Sequence, residues 1–179
     1  MAEFHRETER LILRDWRDED LDALAAMGRD PQVMATLGPL MDRSASAELL
    51  ARLRETAAEH GHTFWALERK ADGRTIGFTG IIRGRDGQVA GKLEIGWRLA
   101  SDCWGQGYAS EAARAAIAWA REERPGEDVY AITSVINARS RAVMERLGMV
   151  HQPALDFDHP RVADDSPLKR HVTYRAAMG

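Results

Sequence analysis

Residues 103–120, CWGQGYASEAARAAIAWA, restrict the fold more than any other stretch, because a Gly-x-Gly turn is set directly ahead of an alanine-rich helical pattern. Gly105 and Gly107 lack Cβ atoms, so the chain can bend sharply there and turn the successive amides of residues 105–109 toward one point. Ala112, Ala113, Ala116, Trp119 and Ala120 then recur at helical spacing, and small residues on that face demand close packing on a sheet. Amides at a helix start, together with the helix dipole, make a cradle for an anion such as phosphate. A plain strand-to-helix corner has the same residues, and on this string alone the two readings stand level. A dinucleotide-binding fingerprint is excluded, since Ser110 stands where the third glycine belongs and the preceding strands are hairpin-linked. A Walker loop is excluded because Tyr108 follows Gly107.

Around this corner the sequence predicts an ordered set of elements. ERLILRDW reads as a strand, with Asp18 as the N-cap of a helix whose first turn holds Glu19 and Asp20 and whose buried stripe is Leu21, Leu24 and Ala25. Gly28 and Pro31 end it. A second helix begins near Ser44 or Ser46 and carries Leu49, Leu50, Leu53 and Ala57 up to Gly61. From His62 the period changes: HTFWALERK, RTIGFTGIIR and GKLEIGWRLA, separated by Asp72-Gly73 and Asp86-Gly87, predict three antiparallel strands. After the glycine corner and its helix come a strand at DVYAITSVI, a helix over residues 138–147 stopped by Gly148, and strand candidates MVHQPALDF and HVTYRAA. The order predicts an α+β, mixed α/β layered fold, and 44% hydrophobic residues in 179 suit a single domain over residues 1–179. The polar connection 156–170 is longer than most hairpin loops, which marks it as a lid or an insertion.

The net charge of −3, with both signs mixed along the chain, argues against a nucleic-acid partner. No stretch approaches the roughly 20 apolar residues of a membrane span. Cys103 is the single cysteine, so no internal disulfide is available and a reducing, cytoplasmic location is expected. The six histidines show no ligand spacing of the H-E-x-x-H kind, and packing or solvation explains them better than a metal. Ordinary packing is also expected of Cys103, while Trp16, Trp65 and Trp97 are either core or lining of a groove.

The second informative stretch is NARSRAVMERLGM, residues 137–149. Asn137 is a natural N-cap, which puts Ser140 at the third helical position on the face of Val143 and Leu147. An inward hydroxyl beside free amides and the positive helix end could donate to a developing anion such as a leaving thiolate, with local capping as the bland alternative.

Together TERLILRDW, EIGWRLASDCWGQGYASEA and NARSRAVMERLGM resemble the GNAT acetyltransferases, in particular their ribosomal-protein N-terminal acetyltransferase (RimJ/RimL-like) branch. The loop of that family, Q/R-x-x-G-x-G/A, falls on Trp104, Gly105, Gln106, Gly107, Tyr108 and Ala109, with tryptophan in the first place as in this branch. The resemblance implies a mostly antiparallel twisted sheet of about six to seven strands flanked by about four helices and splayed between the fourth and fifth strands. It implies acetyl-CoA as co-substrate, without a metal, and an amine acceptor that is a peptide N-terminus or a small molecule. By the same resemblance residues 105–109 would hold the pyrophosphate, the backbone of Trp97, Arg98 and Leu99 would pair with pantetheine, Asn137 would contact its arm, and Ser140 would lie near the sulfur. Glu94, alternating with Leu93 and Ile95, is the candidate base; burial would raise its pKa, and the alternative is a surface carboxylate paired with Lys92 or Arg98. Many members carry a tyrosine acid where this chain has Met144, which leaves room for a catalytically silent acyl-CoA-binding or regulatory module. A homodimer is compatible with the resemblance, and residues 156–170 with the N-terminal helices would shape the acceptor groove.

Overall fold

The computed structural model describes residues 3–177. The first strand region is a hairpin: β1 (His5–Glu7) pairs antiparallel with β2 (Leu11–Arg14), and Leu11 and Leu13 turn inward with no exposure. Three helices follow, α1 (Leu21–Arg29), the single turn α2 (Pro31–Met34) and α3 (Arg43–His60). Asp30 caps α2 by accepting from Gln32 N–H at 2.8 Å, and Asp42 caps α3 by accepting from Ala45 N–H at 2.8 Å. Gly28 lies inside α1 rather than ending it.

Asp18 does not cap α1. Residues Asp18–Asp20 form a short 3₁₀ turn, and Asp18 stays exposed beside Arg54 at 2.8 Å. The carboxylate that matters is Asp20, which grips both terminal nitrogens of Arg14 at 2.8 and 2.9 Å and accepts from Thr75 Oγ1 at 2.6 Å. Buried charge is kept only where partners replace the lost water, and Asp20 serves that end by tying α1 to the sheet.

The sheet continues with β3 (Phe64–Arg69), β4 (Arg74–Arg83) and β5 (Leu93–Leu99), antiparallel as the alternation of their residues predicts. Then come α4 (Tyr108–Glu123), β6 (Val129–Ser134), α5 (Ala138–Arg146), the two-residue strands β7 (Val150–His151) and β8 (Phe157–Asp158), and β9 (Arg170–Ala176). The segment expected as one strand from residue 149 is broken between β7 and β8 by a 3₁₀ turn at Pro153–Leu155, since proline has no N–H to give a ladder. Strand order is β1-β2-β3-β4-β5-β6-β9-β7, with β8 also on β9. Among the described residues only β5 and β6 pair in parallel, and their ladder has two rungs, Leu93 with Val129 and Glu94 with Tyr130. Beyond them the strands separate, which places the split between the fourth and fifth of the long strands announced by the sequence.

One sheet face packs on α4 through Trp65, Ile76, Ile95, Ala112, Ala116 and Trp119, and the other on α1–α3 through Trp16, Leu24, Met27, Leu50 and Phe78. Trp16 and Trp65 therefore belong to the core. Replacing Asp20 with alanine would strand the Arg14 guanidinium in the interior and should destabilise the protein by about 3–5 kcal/mol in chemical denaturation. Asp18→Ala, in contrast, should leave the midpoint nearly where it was.

Candidate active site

The split exposes the edges of two strands. Ala100 N–H bonds to Ile76 O at 2.9 Å, and from that point strand alternation turns the peptide groups of Gly96 and Arg98 toward β4 and those of Trp97 and Leu99 into the gap. The expectation that the Arg98 backbone faces the gap is thereby corrected, because its peptide is committed opposite Phe78. Of the gap-facing groups, Leu99 O already accepts the Trp104 indole N–H at 3.1 Å, which pins the following loop to the strand.

That loop has the conformation only glycine takes at ease: Gly105 has φ 73° and Gly107 has φ 83°, both left-handed. Arg10 fixes it from outside. Its Nη1 donates to Gln106 O at 2.9 Å, its Nε to Glu111 Oε2 at 2.7 Å, and its guanidinium lies 4.4 Å from the Tyr108 ring centre. Glu111 sits in the first turn of α4, where the helix dipole favours a carboxylate, and also accepts from Thr8 Oγ1 at 2.6 Å. The amides at the start of α4 are thus held in place with no side-chain cap on them.

Across the gap, Asn137 is the N-cap of α5 and a buried residue. Its Oδ1 accepts from Ser140 N–H at 3.2 Å, while its Nδ2 donates to Thr133 Oγ1 at 2.9 Å and to Ser140 Oγ at 3.0 Å. Asn137 thereby occupies the acceptor side of the Ser140 hydroxyl, whose own O–H remains to donate into the gap. Met144, where a tyrosine would stand, is buried in the core at 1% exposure and offers no proton.

A groove of about 820 Å³ joins these parts, lined by Trp97, Arg98, Leu99, Trp104, Gly105, Gly107, Tyr108, Ala109, Asn137 and Ser140. Among the expected residues, Gln106 and Glu94 do not line it: the Gln106 side chain folds back onto Asp102 O at 3.1 Å. The groove also takes in residues that sequence reasoning missed. Leu37 and Ile136 are exposed apolar walls, and Arg139 and Arg146 bring positive charge from α5, the Arg139 guanidinium lying 4.1 Å from the Trp104 ring centre. Arg10 and Glu111 were equally hidden, since they meet across 101 positions of sequence and no local pattern marks such a pair.

Glu94 stands on the last rung of the parallel ladder. It pairs with neither neighbour proposed for it: the Lys92 ammonium lies over the Tyr130 ring at 4.8 Å, and Arg98 turns to Phe78. Burial, with the nearby Asp86 adding to it, pushes the Glu94 carboxyl up to about 7. Around it connection 156–170 folds back, Arg161 and His159 meeting Asp86 and the His159 ring lying 4.7 Å from that of His171. Burial lowers the pKa of both histidines. No cluster of metal-ligating side chains forms among the described residues, and Cys103 is a buried free thiol raised above its ordinary pKa by burial.

Comparison with known proteins gives this geometry a family. Residues 10–150 match the acetyltransferase (GNAT) domain. The Bacillus subtilis uncharacterized protein YkkB is 32% identical over 144 residues, 79% of this chain and 83% of its own length. A 60-residue stretch is 43% identical to the FsC-acetyl coenzyme A-N(2)-transacetylase of Aspergillus fumigatus, covering 34% of this chain and 26% of that protein. The crystal structure of an acetyltransferase from Agrobacterium tumefaciens superposes with a TM-score of 0.79 at 26% identity, covering 98% of this chain and 95% of that one. The chain belongs to the GNAT acetyltransferases and is an N-acetyltransferase. Members of that family use acetyl-CoA, and the groove suits it: free amides and two arginines at one end, an unpaired strand edge along its length, a free hydroxyl donor midway.

Replacing Gly107 by valine forces a β-branched residue to φ 83°, at about 1–2 kcal/mol of strain. The loop should relax to another shape, and calorimetric titration should show acetyl-CoA affinity falling at least about tenfold, with little loss of thermal stability.

Proposed function

We propose that acetyl-CoA lies in the groove between β5 and β6, with its diphosphate on the amides of residues 105–109, and that a primary amine of a peptide N-terminus or a small molecule attacks the thioester directly. The observation that carries this reading is the free edge of β5, where Trp97 N–H and C=O and Leu99 N–H point into the gap without a partner in the sheet. Pantetheine, an amide-bearing chain, pairs with such an edge as an added strand does, and a gap-facing amide is placed to hold the oxyanion formed on attack.

The proton inventory follows. An incoming ammonium has to lose a proton, and Glu94 takes it through water, being ionised only above about pH 7. The departing thiolate has to gain stabilisation, and Ser140 O–H donates to it at the positive end of α5. The aromatic Trp104 in the first loop position supports membership of the RimJ/RimL-like branch. The same reading takes residues 1–179 as a single domain, places the protein in the cytoplasm and leaves room for a homodimer. No helix among the described residues is long and apolar enough to cross a membrane.

Ser140→Ala should lower kcat by about tenfold or more while moving the Kd for acetyl-CoA by less than about threefold, a difference that separates donation to the leaving group from simple capping. In wild type, kcat/KM for an amine should rise with pH through about 7, and Glu94→Gln should abolish that limb. The folded-state pKa of Glu94 is raised, so its contribution to stability is present at acid pH and lost as pH climbs through about 7. Glu94→Gln should therefore gain stability relative to wild type at pH 8 and gain none at pH 4. A flat pH profile in wild type would remove Glu94 from the reaction.

A further inference from the structure

On β5 the side chains of Glu94, Gly96 and Arg98 share the sheet face covered by α1–α3, since successive residues alternate. Phe64 lies over Gly96, where a Cβ would stand 2.8 Å from its ring, and stacks on Phe78 at 5.7 Å. Arg98 faces Phe78 in register and holds its guanidinium 5.2 Å from that ring centre. Its Nε is fully enclosed without a hydrogen-bond partner, and its Nη1 reaches the thioether of Met41, a weak acceptor, at 3.7 Å. Among the described residues no carboxylate comes within ion-pair distance of it. Arg14, also turned inward, is met by both Asp20 and Glu68.

A cation withdrawn from water without a counter-charge costs several kcal/mol. Such a cation is stabilised where an anion arrives from outside, and Arg98 lines the groove. We infer that Arg98 receives an anionic group carried by the acceptor, so that the amine acetylated here bears a carboxylate or another oxyanion. The coenzyme's phosphates are served elsewhere, by the loop amides with Arg139 and Arg146, whereas the Arg98 head group lies against Met41 and Phe78 on the other face. That face then holds a base at one end and a cation at the other, with the Phe64 ring between them. The two positions are four residues apart, about 13 Å along an extended strand, a span that both side chains shorten by their reach. Polyamines would meet a repelling charge, and a simple alkylamine would leave the guanidinium unpaired.

This inference rests on the acetyl-transfer reading, and the test keeps the two apart. Acetyl-CoA binding is measured by calorimetry on wild type, Arg98→Gln and Arg98→Lys. Thiol release is then followed with free amino acids and their amides, ω-amino acids and the matching alkylamines, and dipeptides whose second residue is Asp or Asn. Wild type should favour the acidic member of at least one set by about tenfold or more in kcat/KM. Arg98→Gln should lose that preference, Arg98→Lys should keep part of it, and acetyl-CoA affinity should move less than about threefold in either. The arm in which the preference appears tells a small-molecule acid from an acidic peptide end. Acetylation without preference for an acidic acceptor in wild type overturns this inference and leaves acetyl transfer standing. Loss of acetyl-CoA binding in the Arg98 variants overturns it as well, by assigning the anion to the coenzyme. If wild type binds no acetyl-CoA, both fall.

Discussion

After two rungs of parallel ladder β5 and β6 part, and the peptide groups on their facing edges lose the partners that a continuous sheet would supply. Each such group left dry costs about 1–3 kcal/mol, so a gap of this kind persists only because something else satisfies it. The chain does part of this itself, with the Trp104 indole on Leu99 O. What remains is an edge of fixed direction and spacing, open to one extended ligand. The glycine corner, the α5 cap and the arginines are arranged around that edge.

Charge is distributed to match. A chain with net charge −3 still gathers Arg98, Arg139 and Arg146 on one groove, because local field rather than total charge decides what a site attracts. Glu94 stands apart from them on the rung before the gap opens, and burial holds it near neutrality. In the proposed reading the coenzyme's phosphates lie toward α4, while Glu94 and Arg98 meet the acceptor on the side packed on α1–α3. Phe64 separates Glu94 from Arg98 because Gly96 leaves room for its ring.

Legibility in the sequence followed the range of the interaction. The helix under residues 108–123, the αL glycines, and the Asn137 cap with Ser140 at its third position are written in neighbours a few residues apart, and each has the form its residues announce. Asp18 misled because a carboxylate before a helix looks the same whether it caps or not, and the deciding contact, Arg14 with Asp20, depends on β2 passing beneath α1. The break between β7 and β8 is written locally in Pro153, which has no N–H for a ladder. Arg10, Glu111, Arg139 and Arg146 gave no signal, since they acquire meaning only when the β1–β2 turn and α5 are brought to the loop. The orphaned Arg98 reads in sequence as an ordinary charge on a strand.

In the proposed complex, glycine-turned amides hold the diphosphate and so align the remainder of the ligand along the open strand edge. Titrating the protein in parallel with acetyl-CoA and with S-acetylpantetheine, which keeps the thioester and arm but lacks the diphosphate, tests this directly. Saturable one-to-one binding of acetyl-CoA, weakened by about a hundredfold or more in the truncated compound, is the result expected from loss of several charge-assisted hydrogen bonds. Equal affinity for the two, or no saturable heat with acetyl-CoA, would contradict it.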